Sequence, residues 1–551
     1  MALRFAQPAE EAYQFPLTIG HILDSAIATS AGREIVYRDQ VRYDYLGFRD
    51  RIGRLASMLQ SVGAQEGMTI AVMDWDSHRY LEAYFAVPMM GAVLFTVNVR
   101  LSPAQIAYTL GHSKAQILLV HRDFFALIEG LLSGLPDIKA VIAIADGQQM
   151  ACPAFATGEY ESLSAAADPG FEFRDFDENA LATTFYTTGT TGGPKGVCFS
   201  HRQIVLHTLA AKAPFGVTRG GGLGHGDVYM PLTPMFHVHA WGMPYVATLL
   251  GLKQVYPGRY DPNAIIDLKQ REGVSFSHCV PTIMRMVLDA AAQRDADLSG
   301  WTLKIGGSAL TADLCRQAAK KGMTLISGYG MSETAPIIGM ARWRTRDDDE
   351  DSQVSAMIAS GVSIPLVSAR IVDSGMNPLP PDGKTQGELV LRAPWLTQCY
   401  IGDPAASAVL WRGGWMHTQD VATIDPDGTI IIRDRLKDVI KSGGEWLSSL
   451  DLENLICGAE GVAEAAVIGI PHNRWGERPM AIVTRQGLMS PTLESVNALI
   501  STKIARGEVS RFALLDRLEV VDALPRTSVG KIDKKALRER FSRMPLGHGT
   551  S

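Results

Sequence analysis

The sequence predicts a large α/β N-terminal domain of stacked, largely parallel sheets plus a β-rich subdomain, followed by a small α+β C-terminal domain. Three observations carry this. Short apolar segments alternate with helical stripes through most of the chain, the rhythm of parallel sheets covered by helices. From about residue 365 the strand patterns crowd together, and Asp427-Gly428 forms a hairpin turn between two of them. Beyond about residue 437 the pattern restarts over roughly 110 residues, an ordinary domain size. The division is placed at 1–436 and 437–551.

The elements follow in order. Phe48, Ile52, Leu55 and Leu59 make one apolar stripe over 44–62, stopped at Gly63. A strand is expected at 69–73. The longest apolar stretch, 80–99, contains Glu82, Pro88, Gly91 and Asn98, which read as helix, turn and strand rather than a membrane span. Further strands are expected at 117–120, 140–144, 181–186, 275–280, 303–305 and 325–327. The crowded set is 369–372, 388–392, 421–424 and 429–432. The tail offers strands at 466–470, 480–484 and 518–521, with helices near 450–457, 494–506 and 533–541. No repeat of solenoid period is evident.

Composition bounds the function. The 551 residues are 46% hydrophobic and 20% charged, which excludes a largely disordered chain. Gly and Pro number 53 and 28 without a three-residue period, so collagen is excluded and many turns are expected. The net charge of −6 gives no basic field for nucleic acid. None of the six cysteines forms a C-x-x-C pair, so neither a zinc ribbon nor a disulfide framework is indicated, and a reducing cytoplasm is expected. Residues 1–15 hold no apolar core of a secretory signal. The acidic run 347–351 reads as a solvated loop, and the Gly-rich 220–226 meets no nucleotide motif.

The strongest local signal is Tyr186-Thr-Thr-Gly-Thr-Thr-Gly-Gly-Pro-Lys195-Gly-Val, directly after an expected strand. Small residues let backbone N–H groups approach an anion, threonine hydroxyls add donors, and Lys195 adds charge. It is phosphate-cradle chemistry without Walker A spacing. The second motif is Pro234-Met-Phe-His237-Val-His239-Ala-Trp241-Gly. His-x-His could be a metal pair on a strand, but no Cys, His or carboxylate cluster sits nearby to complete it. Next come Gly306-Gly307-Ser308 and Ser327-Gly-Tyr329-Gly-Met-Ser332-Glu333-Thr334. An aromatic between glycines suits stacking on a flat base, and Glu333 is a hard oxygen ligand of the kind Mg²⁺ uses beside phosphates. Asp420, in Thr418-Gln419-Asp420, can accept from both ribose hydroxyls, with Arg435 in support. The alternating charges and paired glycines of Asp434-Arg435-Leu-Lys437-Asp438-Val-Ile-Lys441-Ser-Gly443-Gly444-Glu445-Trp446 suit a segment whose dihedrals change. The last motif is Pro525-Arg526-Thr-Ser-Val-Gly530-Lys531, whose lysine taken alone reads as a surface loop.

Together these motifs, in this order, resemble the adenylate-forming superfamily of acyl-CoA synthetases, luciferases and peptide-synthetase adenylation domains. The resemblance covers nearly the whole chain. It is nearest to bacterial medium- and long-chain fatty-acid–CoA ligases, with ligases of methylthiopropionate-type acids also similar. It implies an AMP-forming acid–thiol ligase using ATP, Mg²⁺ and coenzyme A. It assigns Thr187, Thr188, Gly189, Thr190, Thr191, Gly192 and Lys195 to the phosphates, and Thr187 with Glu333 to Mg²⁺. Gly307, Gly328 and Ser332 go to the nucleotide, and Tyr329 to the adenine. Asp420 and Arg435 go to the ribose. His237 borders the acyl-adenylate, Trp241 gates the acyl tunnel, and Lys531 reaches the reacting carboxylate and α-phosphate. The small domain swings about Lys437, bringing Lys441 and Trp446 toward the pantetheine arm. The family usually has Gly where Gln419 stands. A homodimer is expected from the same likeness.

Other classes fit less well. An amino-acid adenylation domain commonly carries Asp after the Phe of the second motif, where His237 stands. A luciferase-type oxidation shares every motif. A non-catalytic nucleotide sensor would be expected to have lost Lys531, Glu333 or Asp420. Met243, Pro244, Ala335, Pro336 and Ile337 suit a nonpolar acyl pocket; methylthiopropionate-type, alicyclic and aryl acids are the alternative substrates.

Overall fold

The computed structural model describes residues 3–147, 151–187, 193–216, 222–308, 310–341, 354, 357, 358, 360–443, 445–487, 489–506, 509–527 and 531–541. A seven-stranded sheet runs in the order Gly158–Glu159, Ala140–Ile144, Ala115–His121, Thr69–Met73, Val93–Thr96, Leu181–Tyr186, Gly196–Ser200. Its neighbours are parallel except the last pair, which is antiparallel with Tyr186 opposite Gly196. The phosphate-cradle motif is therefore a hairpin connection rather than a strand-to-helix loop.

The second large sheet has thirteen strands. Six of them form a parallel block: Glu34–Tyr37, Lys253–Tyr256, Val228–Pro231, Phe276–Cys279, Thr302–Ile305 and Thr324–Gly330. Val41–Asp44 adds an antiparallel edge. At the other side Ile337–Met340 pairs antiparallel with Thr324–Gly330. Gly361–Ser363, Thr429–Arg435, Met416–Ile424, Gly387–Arg392 and Ser368–Val372 continue the sheet, all antiparallel. The β-rich part is thus a continuation of the parallel sheet, and it begins at Ile337 rather than near 365. One apolar core joins the two large sheets: it holds Ile70, Val72 and Leu94 of the first with Ile35, Phe276 and Ile326 of the second. The helix His78–Met89 lies in it, buried on nearly every side, as a helix apolar all round must be. Its charged residues are paired: Glu82 takes Arg51 and Tyr160, and Arg79 takes Glu161 and Asp146.

The small domain is built around five strands from Ile440 to Val521, with Gly476–Arg485 central between Val462–His472 and the parallel Arg517–Val521. Helices Ser449–Ile456, Leu493–Ala505 and Lys534–Phe541 accompany it, and Ile440, Val467, Val483 and Ile500 share its core. Four residues, 436–439, separate the Thr429–Arg435 strand of the large sheet from the Ile440–Ser442 strand of the small one. Asp438 on this connector pairs with Arg538 at 2.7 Å. Among the described residues, no helix is long and apolar enough to cross a membrane.

Candidate active site

The site lies where strand ends of the thirteen-stranded sheet, the hairpin loop and the C-terminal lysine converge. Thr187 closes the base of the hairpin loop: its N–H donates to the Lys195 carbonyl at 2.9 Å. Thr188, Gly189, Thr190, Thr191 and Gly192 lie outside the described residues. The Lys195 ammonium sits 4.7 Å from the centroid of the Tyr400 ring, a cation–π contact. The Tyr400 hydroxyl donates to Glu333 Oε1 at 2.7 Å. Glu333 is buried on the short turn Ser332–Thr334, and its carbonyl accepts the Thr397 N–H at 3.0 Å.

Tyr329 stands between Gly328 and Gly330 at the end of its strand. A side chain at Gly330 would collide with the Pro336 carbonyl at 1.8 Å, so only glycine lets the two strands approach. The Tyr329 hydroxyl donates to Asp420 Oδ2. Asp420 faces Arg435 across the hairpin, with Arg435 Nε 3.4 Å from Oδ1. Burial pushes the Asp420 carboxyl up, and Arg435 opposes it. Gln419 holds the turn beside it at φ 62°. Its N–H and side-chain Nε2 donate to Glu388 Oε1 at 3.3 and 3.1 Å. The turn therefore exists with a non-glycine residue that is anchored from outside.

The Pro234–His237 segment is fixed by three neighbours. Asp76 accepts the Met235 N–H at 2.8 Å, Tyr84 donates to the Met235 carbonyl, and Thr96 donates to the Phe236 carbonyl at 3.0 Å. After His237 the backbone turns left-handed through Val238, His239, Ala240 and Trp241, with φ between 46° and 58°. Such conformations cost roughly 1–2 kcal/mol per residue, and here the buried surroundings impose them. His239 is sealed among Tyr84, Phe185 and Tyr245, and burial lowers it to about 3. Among the described residues no cluster of three metal-ligating side chains occurs. His237 is also held near 3, by burial first, then by Lys531 and Arg100. Trp241 is 5% exposed. It packs against Gly306 and Gly307 and stands 5.3 Å from the His278 ring.

Lys531 reaches this cluster from the C-terminal domain. Its Cε lies 3.7 Å from where a Gly307 Cβ would be, and Gly307 itself is left-handed at φ 81°. Burial and Arg435 lower the Lys531 ammonium to about 8 against the pull of Asp420 and Glu333. The Arg526–Ile532 bridge and the Thr527 N–H to Lys531 carbonyl bond, 2.7 Å, join the described residues on either side of 528–530. Ser528, Val529 and Gly530 lie outside the described residues.

Two family models match the chain: AMP-binding enzyme over residues 23–401 and AMP-binding enzyme C-terminal domain over residues 451–531. The chain belongs to the AMP-binding enzyme family. Among its relatives, the long-chain-fatty-acid–CoA ligase of Thermus thermophilus is 38% identical over 534 residues, 95% of this chain and 96% of that one. The 3-methylmercaptopropionyl-CoA ligase of Ruegeria pomeroyi is 34% identical, covering 96% and 97%. The medium-chain-fatty-acid–CoA ligase of Ectopseudomonas oleovorans is 34% identical, covering 97% and 98%. Of solved structures, an anthranilate CoA ligase in complex with anthranoyl-AMP aligns with TM-score 0.84 at 21% identity, covering 96% and 98%. ATP-bound MatB from Rhodopseudomonas palustris aligns with TM-score 0.82 at 24% identity, covering 96% and 99%. These two establish the fold.

Within this AMP-binding enzyme the structure brings together Lys531, His237, Trp241, Gly307, Gly328, Tyr329, Ser332, Glu333, Asp420 and Arg435, with Thr187 and Lys195 joined through Tyr400. Lys441 and Trp446 sit elsewhere. They are register partners on the small hairpin, 5.6 Å apart as ammonium and ring, with Trp446 44% exposed. Lys437 lies on the connector, where burial lowers its ammonium. Gly444 lies outside the described residues, as does the acidic run 347–351. Sequence reasoning missed Tyr400, which no spacing marks. It also missed Lys304, a lysine inside a strand of a sheet covered on both faces.

Proposed function

We propose that this AMP-binding enzyme is an ATP-dependent acyl-CoA ligase acting on a carboxylic acid, with a medium- or long-chain fatty acid as the preferred class. The observation that carries the reading is the seating of Lys531 against Gly307, in the field of Asp420, Glu333 and Arg435. A carboxylate is a poor electrophile because its leaving group would be oxide. The acid's oxygen therefore attacks the ATP α-phosphorus; a P–O bond forms and the bond to pyrophosphate breaks. Negative charge crowds at phosphorus, so preorganised cations and donors aimed there supply the main stabilisation.

In this reading Lys531 bridges the carboxylate and α-phosphate, and the 187–195 loop with Lys195 cradles the β- and γ-phosphates. Tyr329 covers the adenine, with Gly307, Gly328 and Ser332 lining the nucleotide. Asp420, oriented by Tyr329 and Arg435, takes the ribose hydroxyls. Glu333 with the Thr187 hydroxyl fits Mg²⁺: a single buried carboxylate, one oxygen engaged by Tyr400, suits an ion that keeps phosphate and water ligands. When bound, the ion neutralises phosphate charge. Neutral His237 borders the acyl-adenylate, and Trp241 gates the acyl pocket.

In the second half-reaction the CoA thiol loses its proton and attacks the acyl carbon; a C–S bond forms and the C–O bond to AMP breaks. For this the small domain, bounded at Lys437, turns to withdraw Lys531 and present Lys441 and Trp446 to the pantetheine arm. A cytoplasmic homodimer completes the proposal, tested by light scattering of the purified enzyme.

The deciding assay measures AMP and acyl-CoA with ATP, Mg²⁺ and CoA. The acids run from propionate to C18, with methylthiopropionate, cyclohexanecarboxylate, benzoate and cinnamate. An optimum within C6–C16 supports the fatty-acid class. AMP only with a short, alicyclic or aryl acid keeps the ligase and overturns that class. No AMP with any acid, the behaviour of a nucleotide sensor, overturns the ligase itself.

A further inference from the structure

Two of the six cysteines face each other at the edge of the seven-stranded sheet. Cys198 lies in the edge strand Gly196–Ser200. The segment 397–401 runs antiparallel beside it: Val197 bridges Tyr400, and the Ile401 N–H donates to the Gly196 carbonyl at 2.8 Å. One step further in that register sets Cys198 opposite Cys399. Opposed residues of an antiparallel pair share a face, with Cα atoms about 4.5 or 5.5 Å apart. A disulfide bridges Cα separations of about 4.4–6.8 Å. One hydroxyl ties the two backbones together: Thr397 Oγ1 lies 3.0 Å from the Cys198 carbonyl and 3.0 Å from the Cys399 carbonyl. The two thiols are hydrogen-bonded to each other.

Their surroundings differ. Cys399 is exposed and Cys198 is buried. Burial pushes the Cys198 thiol up, so the exposed sulfur is the one an oxidant meets. Cys279 and Cys315, by contrast, are enclosed in an apolar core. The pair adjoins the nucleotide site through one residue. Tyr400 follows Cys399; its hydroxyl donates to Glu333 Oε1 at 2.7 Å and its ring receives the Lys195 ammonium. Lys195 in turn precedes the strand that carries Cys198.

We propose that Cys198 and Cys399 form a reversible oxidation site, at which a peroxide makes a disulfide that displaces Tyr400 and weakens MgATP binding. An S–S bond is about 2.05 Å long, shorter than any hydrogen-bonded approach of two thiols, so forming it draws residue 399 onto 198 and takes Tyr400 with it. The Cys399 sulfur attacks one peroxide oxygen; an S–O bond forms, the O–O bond breaks, and the thiol proton leaves with the departing hydroxide as water. The Cys198 sulfur then attacks the Cys399 sulfur; the S–S bond forms, the S–O bond breaks, and the second thiol proton leaves with that hydroxide as a second water. Two thiols are oxidised and one peroxide is reduced. A disulfide with an accessible sulfur is open to attack by a reducing thiol, which suits a transient mark in a reducing compartment. The bond stands apart from the ligase reading; its effect on MgATP rests on the nucleotide site proposed above.

The test treats the full-length enzyme with hydrogen peroxide and maps its peptides without reduction by mass spectrometry, while calorimetry gives Kd for MgATP. The peptides bearing Cys198 and Cys399 are expected to be linked. Kd should rise about tenfold or more, the size of a lost hydrogen bond to a charged group, and dithiothreitol should reverse both changes. Cys399→Ser should bind MgATP as the reduced wild type does, before and after peroxide. A wild-type map without the 198–399 link overturns the assignment, whether or not the variant folds. A linked peptide with an unmoved Kd overturns the coupling to Tyr400, and so does a peroxide response that persists in Cys399→Ser. Neither readout needs turnover, so an enzyme that releases no AMP with any acid loses the ligase reading while the disulfide is still decided.

Discussion

Replacing Lys531 by Ala separates the two half-reactions. In the structure Lys531 is held against Gly307, with Asp420 and Glu333 pulling its ammonium toward the charged form and burial pushing it to about 8. At pH 7 roughly 90% of the lysine is then charged, and at pH 9 about 10%. Removing one preorganised donor from a developing oxyanion costs about 3–4 kcal/mol, or about 10²–10³ in rate. Lys531→Ala should lose that factor in pyrophosphate release, while supplied acyl-adenylate is still converted to thioester. The wild-type kcat/KM for adenylation should fall as pH rises through about 8, because the charged form disappears there. Arginine stays charged across the range, so Lys531→Arg should flatten that limb at whatever rate it retains. The same shift acts on stability. The unfolded chain holds this proton to about 10.5, so between pH 8 and 10.5 unfolding takes up a proton and this group favours the native state more as pH rises. Normal pyrophosphate release by Lys531→Ala, or an alkaline limb unmoved in Lys531→Arg, would refute the reasoning.

Three further outcomes are expected. Tyr329→Phe strips the hydroxyl from Asp420, and a hydrogen bond to a charged group is worth about 1.5–3 kcal/mol; KM for ATP should rise at least tenfold, and an unchanged KM would sever the Tyr329–Asp420 pair from nucleotide binding. Lys441→Ala should slow thioester formation more than adenylation, measured on the separate half-reactions, and equal loss in both would defeat the domain swing for that residue. Gln419→Gly relieves a left-handed residue worth about 1 kcal/mol and loses one exposed hydrogen bond to Glu388 worth about as much; urea unfolding should shift by no more than about 1 kcal/mol, and a loss above 2 would show the side chain, not the backbone turn, to be what matters there.

Much of the architecture was legible because apolar segments of a doubly covered sheet announce themselves. The expected strands 69–73, 140–144 and 181–186 coincide with those observed. Val41–Asp44 escaped because a polar edge strand, Val-Arg-Tyr-Asp, shows little apolar pattern; Glu34–Tyr37 escaped because a four-residue run is too short to show a period. The return strand Gly196–Ser200 was hidden behind the loop motif that precedes it. Motif residues were legible because glycines and charged groups at fixed spacing betray close backbone approach. The left-handed turn at 238–241 was not, since Val, His, Ala and Trp prefer right-handed conformations and only tertiary packing enforces the reverse. Lys304 carried a faint signal: a lysine alternating with Leu303 and Ile305 in a parallel strand must face a core.

The four-residue connector between Arg435 and Ile440 sets a kinetic order. Five Cα steps reach at most about 18 Å, so the small domain can pivot but cannot drift away. A lysine tethered this closely meets the nucleotide site at an effective concentration in the millimolar range. Its arrival is unimolecular, independent of how dilute the enzyme is. Cutting the chain within 436–439 would turn that arrival into a bimolecular encounter, and adenylation would then depend on the concentration of the separated C-terminal piece.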